Sequence, residues 1–274
     1  METIIGYFSS ISSLHRGLIL AGGIAFFWLL ESVQPMVDFN YRKWNHAGIN
    51  IFFTLTTIIV NFLMAFVLLM AANWTTTNDF GLLQLLPKMP LWIYTLIGLL
   101  LLDLIGAYLA HLSEHKIKLF WRFHLIHHTD TWIDTTSANR HHPGESVIRF
   151  VFTTFGVFAL GCPMWMVFLY QSLSVVCSQL NHANIALPKK IDWLLSYFLV
   201  SPDMHKVHHH YLLPYTDSNY GNIFSVWDRL FGTFSYLDRK EIVYGIDTHH
   251  NEKEHNDLKN LLMIPFQKPK NIHK

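Results

Sequence analysis

Long apolar stretches separated by short polar ones dominate the first two thirds of the 274-residue chain. Runs of about 20 apolar residues are typical of helices that cross a bilayer. The pattern predicts three such spans, followed by a 34-residue apolar stretch that glycine and proline break in its middle. The predicted elements are spans at about 17–35, 47–71 and 91–110, and a two-armed hairpin at 147–180 around Gly161-Cys162-Pro163.

Three polar residues interrupt the second and third spans. Asn50 and Asn61 lie in the second and are expected to face protein rather than lipid. Asp103 lies in the third, where a carboxylate is expensive. It is expected either to face the bundle and pair there, or to end a helix near the membrane interface.

Composition supports a multi-pass integral membrane protein. Hydrophobic residues make up 51% of the chain and charged ones only 14%, against about 25% charged in a soluble domain. The net charge of +1 and the lack of a basic stripe argue against a nucleic-acid partner. The expected fold is all-α: one membrane-embedded domain over 1–274, in which a helical bundle is capped by a histidine-rich helical region and followed by a polar tail at 237–274.

Histidine is the candidate chemistry, because 12 of the 18 histidines lie between positions 111 and 210. Residues four apart share one face of a helix, and imidazole is the commonest metal ligand in proteins. Two H-x-x-H-H motifs follow one H-x-x-x-H motif, which indicates a site for more than one metal ion. The three motifs are His111/His115, His124/His127/His128 and His205/His208/His209. His15, His46 and His273 are expected to be ordinary packing or interfacial residues.

Other metal-site classes fit less well. Closed zinc sites have four ligands, often with cysteine, whereas Cys162 and Cys177 lie apart in apolar surroundings. A zinc peptidase needs H-E-x-x-H, but Glu114 directly precedes His115. Haem ligation would place facing histidines inside the spans rather than at their ends.

Sharing one site constrains the topology. If the three motifs meet, the stretch between His142 and His182 must cross the membrane an even number of times, as a hairpin does. Lysine and arginine cluster on the motif side, which predicts that 111–145 and 182–236 are cytoplasmic. Residues 191–200 are too short to cross and are expected to lie along the interface, as a gate for a lipid that enters from the bilayer.

The motifs and their flanks resemble the sterol desaturase/fatty acid hydroxylase superfamily of integral-membrane di-iron enzymes. The order and spacing of the motifs agree, and so do Asp103, eight residues before His111, and five flanking runs. Those runs are Leu119-Phe120-Trp121-Arg122-Phe123-His124, His142-Pro143-Gly144-Glu145, Asn181-His182-Ala183-Asn184, Asn219-Tyr220-Gly221 and Trp227-Asp228-Arg229-Leu230-Phe231-Gly232-Thr233. The resemblance covers about residues 17–236 and is to the bacterial members, which favours a bacterial inner membrane over the endoplasmic reticulum. Leu112 and Asp130 depart from the common pattern, at positions that are not ligands.

The resemblance implies O2-dependent hydroxylation or desaturation of a lipid, whether a fatty acyl chain, a sterol or an ether lipid. It implies two iron ions, which zinc can replace in purified protein, held by the eight motif histidines as catalytic ligands. It adds His182 as a ninth ligand. Electrons would come from a separate electron-transfer protein, because the chain has no dinucleotide-binding glycine fingerprint.

Further residues are candidates for the surroundings of the metals. His142 is a candidate ligand or an outer partner of one, whereas His141 and His210 are expected to be bystanders or outer partners. Carboxylates commonly orient the imidazoles that bind metal. Candidates for that role, or for simple helix capping, are Asp103, Glu145, Asp203 and Asp228.

Two other functions use the same histidines. A metal-binding membrane transporter or sensor would place polar ligands along the spans at mid-bilayer depth. A scaffold without catalysis would keep its metals.

Overall fold

A computed structural model describes residues 1–249, 251–268 and 270 of the chain, so the end of the predicted polar tail lies outside the described residues. The described chain is helical, with isolated β-bridges as its extended pairings, which confirms the all-α prediction. The α-helices are α1 (Glu2–Ser9), α2 (Ser13–Val33), α3 (Lys43–Thr77), α4 (Leu91–Asp103), α5 (Ala110–Lys116), α6 (Lys118–His128), α7 (Pro143–Leu160), α8 (Met164–His182), α9 (Lys189–Leu195), α10 (Pro202–His208), α11 (Val226–Leu230), α12 (Glu252–His255) and α13 (Leu258–Met263). Short 3₁₀ turns cover Leu82–Leu85, Thr135–Asn139, Tyr215–Asp217, Arg239–Glu241 and Ile264–Phe266.

Three helices of the described chain are long and apolar enough to cross a membrane. They are α2, α3 and the continuous helix Leu91–Lys116. The last of these joins α4 to α5 through a π-helical turn at Leu104–Leu109. Turns of this kind are frequent at functional sites. His111 and His115 of the first motif follow this turn, at the end of the long apolar helix Leu91–Lys116.

The apolar stretch at 147–180 folds as two helices. Proline at the first turn starts α7, and Gly161 ends it with a left-handed φ of 70°. A side chain at Gly161 would collide with the backbone of Phe80, because an added Cβ would lie 2.1 Å from the Phe80 carbonyl oxygen. Helix α8 begins directly after Pro163. The break therefore lies where the sequence predicts it, and the placement of both arms in the bilayer stays a prediction.

The polar residues of the spans have different surroundings. Asn50 is buried, and its side chain bonds Thr136 and Arg140 at 2.9 and 3.1 Å. Asn61 is exposed, so the prediction that it faces protein is wrong. Asn61 lies on the same face of α3 as Asn50, but no residue between Thr54 and Leu68 is buried, so this part of the helix is not covered by the rest of the bundle. Asp103 is buried and faces the bundle.

The histidine-bearing elements meet at one end of this bundle. Helix α5 packs on α6, and α10 packs on the end of α8. The core beneath them is apolar and joins α3, the third span, α7 and α8 through Leu68, Leu102, Val157 and Met166. Part of the tail also docks here, because Leu261 is fully buried against Ile126 of α6. The fold thus places the three motifs on a packed apolar base.

Candidate metal centre

Nine histidines form two adjoining groups whose ring nitrogens lie within 4.8 Å of one another inside each group. All eight motif histidines and His182 are included, so the structure brings together every residue of the main predicted set. The five-histidine cluster consists of His111, His115, His124, His128 and His208. The four-histidine cluster consists of His127, His182, His205 and His209.

The two H-x-x-H-H motifs divide between the clusters in opposite ways. In the second motif the outer pair, His124 and His128, joins the five-histidine cluster and His127 joins the other. In the third motif the outer pair joins the four-histidine cluster, and His208 crosses to the first. Helical geometry causes the division, because successive residues turn by about 100°. Residues four apart then converge, while the intervening member points aside.

The separations between ring nitrogens suit a shared metal ion. Two nitrogens bound to one ion at about 2.1 Å, with ordinary bond angles, lie about 3.0–3.4 Å apart. The Nε2 atoms of His111 and His124 are 3.1 Å apart. In the other cluster the Nε2 atom of His182 lies 3.1 Å from those of His127 and His205, and 3.3 Å from that of His209. One proton cannot satisfy three such contacts, whereas one cation can.

Burial keeps these rings neutral. The histidines of the second and third motifs are buried, which lowers their pKa because a charged ring would lose its hydration. For His127, His128, His205 and His209, neighbouring imidazoles lower the pKa further, because charged rings would repel one another. The pKa of His208 falls to about 4, and those of His127, His128, His205 and His209 lie well below the ordinary value. Neutral imidazole is the form that binds metal.

Main-chain carbonyls orient two rings of the five-histidine cluster. Nδ1 of His111 donates to the carbonyl of Tyr220 at 2.9 Å, and Nδ1 of His208 donates to that of Ser218 at 2.6 Å. Each bond fixes the tautomer that leaves Nε2 free for a metal. The loop before α11 therefore controls two ligands from two different helices.

Carboxylates orient two more rings of that cluster. Nδ1 of His115 lies 3.2 Å from Asp217, and Nδ1 of His124 lies 2.8 Å from Glu145. A carboxylate partner raises the basicity of the imidazole and fixes its orientation. The predicted outer role is thus occupied by Glu145, together with Asp217, which the sequence did not single out.

Glu145 belongs to a buried charged group. Arg149 of α7 donates to Glu145 at 3.0 Å and to Glu114 at 2.6 Å. Both glutamates are fully buried, and Glu114 lies 3.6 Å from the ring of His124. The guanidinium group separates two carboxylates that would otherwise repel each other. This group ties α5, α6 and α7 together behind one ligand.

The four-histidine cluster has fewer outer bonds. Nδ1 of His182 donates to the carbonyl of Ser178 at 2.8 Å. The Nδ1 atoms of His127, His205 and His209 are buried without a hydrogen-bond partner among the described residues. Orientation of these rings therefore depends on the backbone that carries them.

The remaining predicted histidines lie outside both clusters. His142 begins α7 as its N-cap, where Nδ1 accepts from Gly144 at 3.0 Å, so the structure does not place it as a ligand. His210 accepts from the amide of Val243 at 3.1 Å. His141 packs near His127 at 5.1 Å between ring centroids. The ring of His142 belongs to neither cluster, and because its Nδ1 accepts a bond, its proton lies on Nε2 in the neutral form.

Three predicted outer carboxylates have partners other than imidazole. Asp103 accepts from the amides of Ile223 and Phe224 at 3.2 and 3.1 Å. Asp228 accepts from the amides of Tyr220 and of the next residue, Gly221, at 2.7 and 2.8 Å. Asp203 pairs with Arg239 at 2.6 Å. These aspartates do not contact a ring of either cluster, and Asp103 and Asp228 act indirectly by holding the loop whose carbonyl receives His111.

The sequence offers a weak signal for the partners that were missed. Glu114 lies within the first motif, and Glu145 and Arg149 are four residues apart on one helix, which is the spacing of a helical ion pair. Asp217 lies 102 residues from His115 and has no such signal. Only the folded chain shows that pairing.

The donor set fits metal ions. Nε2 of His115, His128 and His208 is buried without a hydrogen-bond partner among the described residues, although each atom belongs to the five-histidine cluster. Buried polar atoms normally have partners. Convergent neutral nitrogens without them are expected where cations bind. Nine nitrogen donors in two groups suit two metal ions that accept imidazole ligands, such as zinc, copper, nickel or iron.

Part of the chain is similar in sequence to known proteins. Ornithine lipid hydroxylase OlsE of Rhizobium tropici is 26% identical over 53% of this chain and 43% of its own length. Alkylglycerol monooxygenase of Caenorhabditis elegans is 26% identical over 53% of this chain and 28% of its own. Cholesterol 25-hydroxylase-like protein 1, member 2 of Danio rerio is 28% identical over 50% of this chain and 48% of its own. The chain thus matches less than half the length of these relatives.

No solved structure matches the chain. The family model described as fatty acid hydroxylase matches residues 95–233, which run from the third span to the end of the Trp227–Thr233 run and include every member of both clusters. This match confirms the resemblance drawn from the motifs. The chain belongs to the fatty acid hydroxylase family.

Proposed function

We propose that this protein is a membrane-bound di-iron oxidoreductase that uses O2 to hydroxylate or desaturate a lipid. The observation that carries the proposal is the pair of adjoining all-histidine clusters at the end of a helical bundle long and apolar enough to cross a membrane. Membership of the family supports it, and so do the printed names of its relatives, which include lipid hydroxylases and monooxygenases.

In this proposal each cluster would hold one iron ion, and two such ions would supply a redox centre that passes electrons from the donor to O2. The protein's own part is to hold nine neutral nitrogens in place and to exclude water. Carboxylates and carbonyls behind the five-histidine cluster fix the ring orientations. Buried apolar packing beneath the clusters limits access to small or apolar molecules. Electrons are supplied by a separate donor protein.

The surface beside the third motif supports the proposal that substrate enters from the bilayer. Helix α9 turns Asp192 inward, where its carboxylate accepts from the amide of Asp203 at the start of α10. Its other face exposes large apolar side chains, including Trp193 at 60% and Phe198, just beyond the helix, at 70%. Such a face suits the membrane interface. A lipid chain could reach the clusters past this segment.

Orientation completes the proposal. The clusters and the loops that surround them are placed on the cytoplasmic side of a bacterial inner membrane, because lysine and arginine concentrate there. Cysteine labelling of residues next to His142 and His182 from each side of the membrane tests this placement. Labelling from opposite sides would contradict both the placement and the hairpin.

A metal transporter or sensor is the weaker alternative. It requires polar groups along the spans, but Asp103 and Asn50 are taken up by bonds to protein. All nine clustered histidines lie at one end of the bundle. The described chain therefore has no row of free ligands leading across the membrane.

One experiment tests the proposed activity. Cells that express the protein and cells that express His127→Ala are grown with isotopically labelled O2, and their lipids are compared by mass spectrometry. We expect a lipid that gains one labelled oxygen, or loses two hydrogens, only with the wild-type protein. Metal analysis of both purified proteins accompanies the comparison. Identical lipidomes, or wild-type folded protein with one ion or none, would contradict the proposal.

A second experiment tests bilayer entry. Replacing Trp193 and Phe198 by serine should reduce lipid turnover and leave both metals bound, because these side chains lie outside the clusters. Tyr236→Ser is the matched control, since Tyr236 is similarly exposed at 65% but lies outside α9. Equal activity in the wild type, in the variant with both replacements and in Tyr236→Ser would exclude α9 as the entrance. Gly106 is unsuitable for such a test, because an added Cβ would lie 3.3 Å from both Thr153 and Tyr170.

A further inference from the structure

Lys206 is a buried cation inside the third histidine motif. Its side chain is 0% exposed, and lysine is almost never fully buried unless its charge has partners. It follows His205 directly and lies two residues before His208. The proposed metal chemistry gives this ammonium group no role.

The partners of Lys206 lie in another helix. Its ammonium group has three donors, and these bond the carbonyls of Asn181, His182 and Ala183 at 3.1, 2.7 and 2.9 Å. The last carbonyls of a helix have no partner within the helix and carry its negative dipole end. Lys206 therefore caps the end of α8 at the residue that carries a clustered ring.

This cap links the two backbones that build most of the four-histidine cluster. His182 comes from α8, whereas His205 and His209 come from the same short segment as Lys206. The ring of His182 has its own bond to Ser178, but that bond lies within α8 and says nothing about the distance to α10. Lys206 fixes that distance from the other side.

We infer that Lys206 is a positioning residue for the four-histidine cluster: it holds His182 in register with His205 and His209. The inference rests on the proposed two-metal centre. It predicts a selective effect, because the five-histidine cluster takes no ligand from α8. Loss of the cap should weaken one metal site and spare the other.

The test uses full-length protein in detergent, stripped of metal and titrated with Co²⁺, with electronic absorption and metal analysis as readouts. In Lys206→Met we expect one of the two sites to bind about 10- to 100-fold more weakly and the other to be unchanged, as for other outer partners of ligands. His182→Ala should give the same spectrum of the surviving site. Lys189→Met, an exposed lysine paired with Asp238, is the control and should bind like the wild type.

Each result decides the inference. Two unchanged sites in Lys206→Met, or equal weakening of both sites in folded protein, would overturn it. If that variant does not fold, Lys206→Arg and Lys206→Gln replace it. Arginine keeps the charge, so Lys206→Arg should bind Co²⁺ at the affected site more tightly than Lys206→Gln. If Lys206→Arg and Lys206→Gln each filled both sites equally, the inference would also be overturned. Wild-type protein that binds fewer than two ions would overturn the two-metal centre and this inference with it.

Discussion

The two histidine clusters are built from the same motifs but are held in different ways. In the five-histidine cluster, four rings have an outer partner: carbonyls for His111 and His208, carboxylates for His115 and His124. In the four-histidine cluster, His182 is the only ring with an outer partner among the described residues. Side chains and loops brought from distant positions orient the first cluster. Helix geometry and the cap from Lys206 orient the second.

The difference predicts unequal metal sites. Anionic partners make imidazole a stronger donor, so the five-histidine cluster should bind a divalent ion more tightly. The four-histidine cluster has one ligand fewer and no carboxylate bonded to its rings among the described residues. It should exchange metal more readily.

The largest expected effect comes from removing one ligand of each cluster. His124→Ala and His205→Ala should each lose the ion of their own cluster and retain the other, and both should abolish lipid oxidation because the proposed chemistry needs two ions. The loss of activity should exceed the roughly 100-fold effect of outer partners. Metal analysis and lipid mass spectrometry measure both effects.

His210→Ala is the matched control for these variants. His210 directly follows the third motif but lies outside both clusters. If either ligand variant lost both ions while remaining folded, the two clusters would be one cooperative site, and the comparison between them would fail.

Helix periodicity explains how much of this centre the sequence can predict. Residues four apart share a face, so His111/His115 and His124/His128 could be paired from spacing alone. The crossing of His127 and His208 between clusters requires the helices to be placed against each other. Spacing predicts convergence, and packing decides which ion each ring meets.

Long-range partners mark the limit of prediction. Asp217 reaches His115 across 102 residues, and the spacing that pairs Arg149 with Glu145 gives no sign of its second partner, Glu114, on another helix. The hydropathy pattern likewise finds the spans and the hairpin break. It does not distinguish the buried Asn50 from the exposed Asn61, because that depends on which part of α3 is covered.

Acid is expected to destabilise the metal-free protein strongly. The buried histidines have a pKa below their value of about 6.5 in an unfolded chain, and that of His208 is about 4. As the pH falls below about 6.5 the unfolded chain takes up protons that the folded chain does not. Each such histidine then lowers the free energy of unfolding by up to about 1.4 kcal/mol per pH unit. Well above pH 6.5 both states hold these rings neutral, and the histidines cost no stability.

Thermal unfolding of metal-free protein between about pH 7.5 and 5 measures this effect. The metal-loaded protein is the control and should change less, because bound ions hold the rings neutral. His208 of the five-histidine cluster, whose pKa is about 4, should protonate in the folded chain only below this pH range. A stability that does not depend on pH in the metal-free protein would contradict buried neutral rings.

Removing the buried carboxylate should have a smaller, one-sided effect. Glu145→Gln keeps an oxygen that can accept from His124 but removes the negative charge, so the affinity of the five-histidine cluster should fall about 10- to 100-fold. Metal titration should show the other cluster unchanged. Asp203→Asn is the control, because Asp203 pairs with Arg239 at 2.6 Å rather than with a ring. An equal loss in both variants would mean that the effect is general destabilisation.

The smallest effect is expected at the other carboxylate of that cluster. The Asp217 side chain is 32% exposed and also pairs with Lys116 at 2.7 Å, so solvent and a second partner already weaken its field at His115. Asp217→Asn should therefore reduce metal affinity by less than about 10-fold, at the low end for outer partners. Lys116→Met removes the competing partner and should not weaken binding. If Asp217→Asn cost as much as Glu145→Gln, burial would not set the strength of these carboxylates, and the position of the charge on the ligand would matter more than its exposure to water.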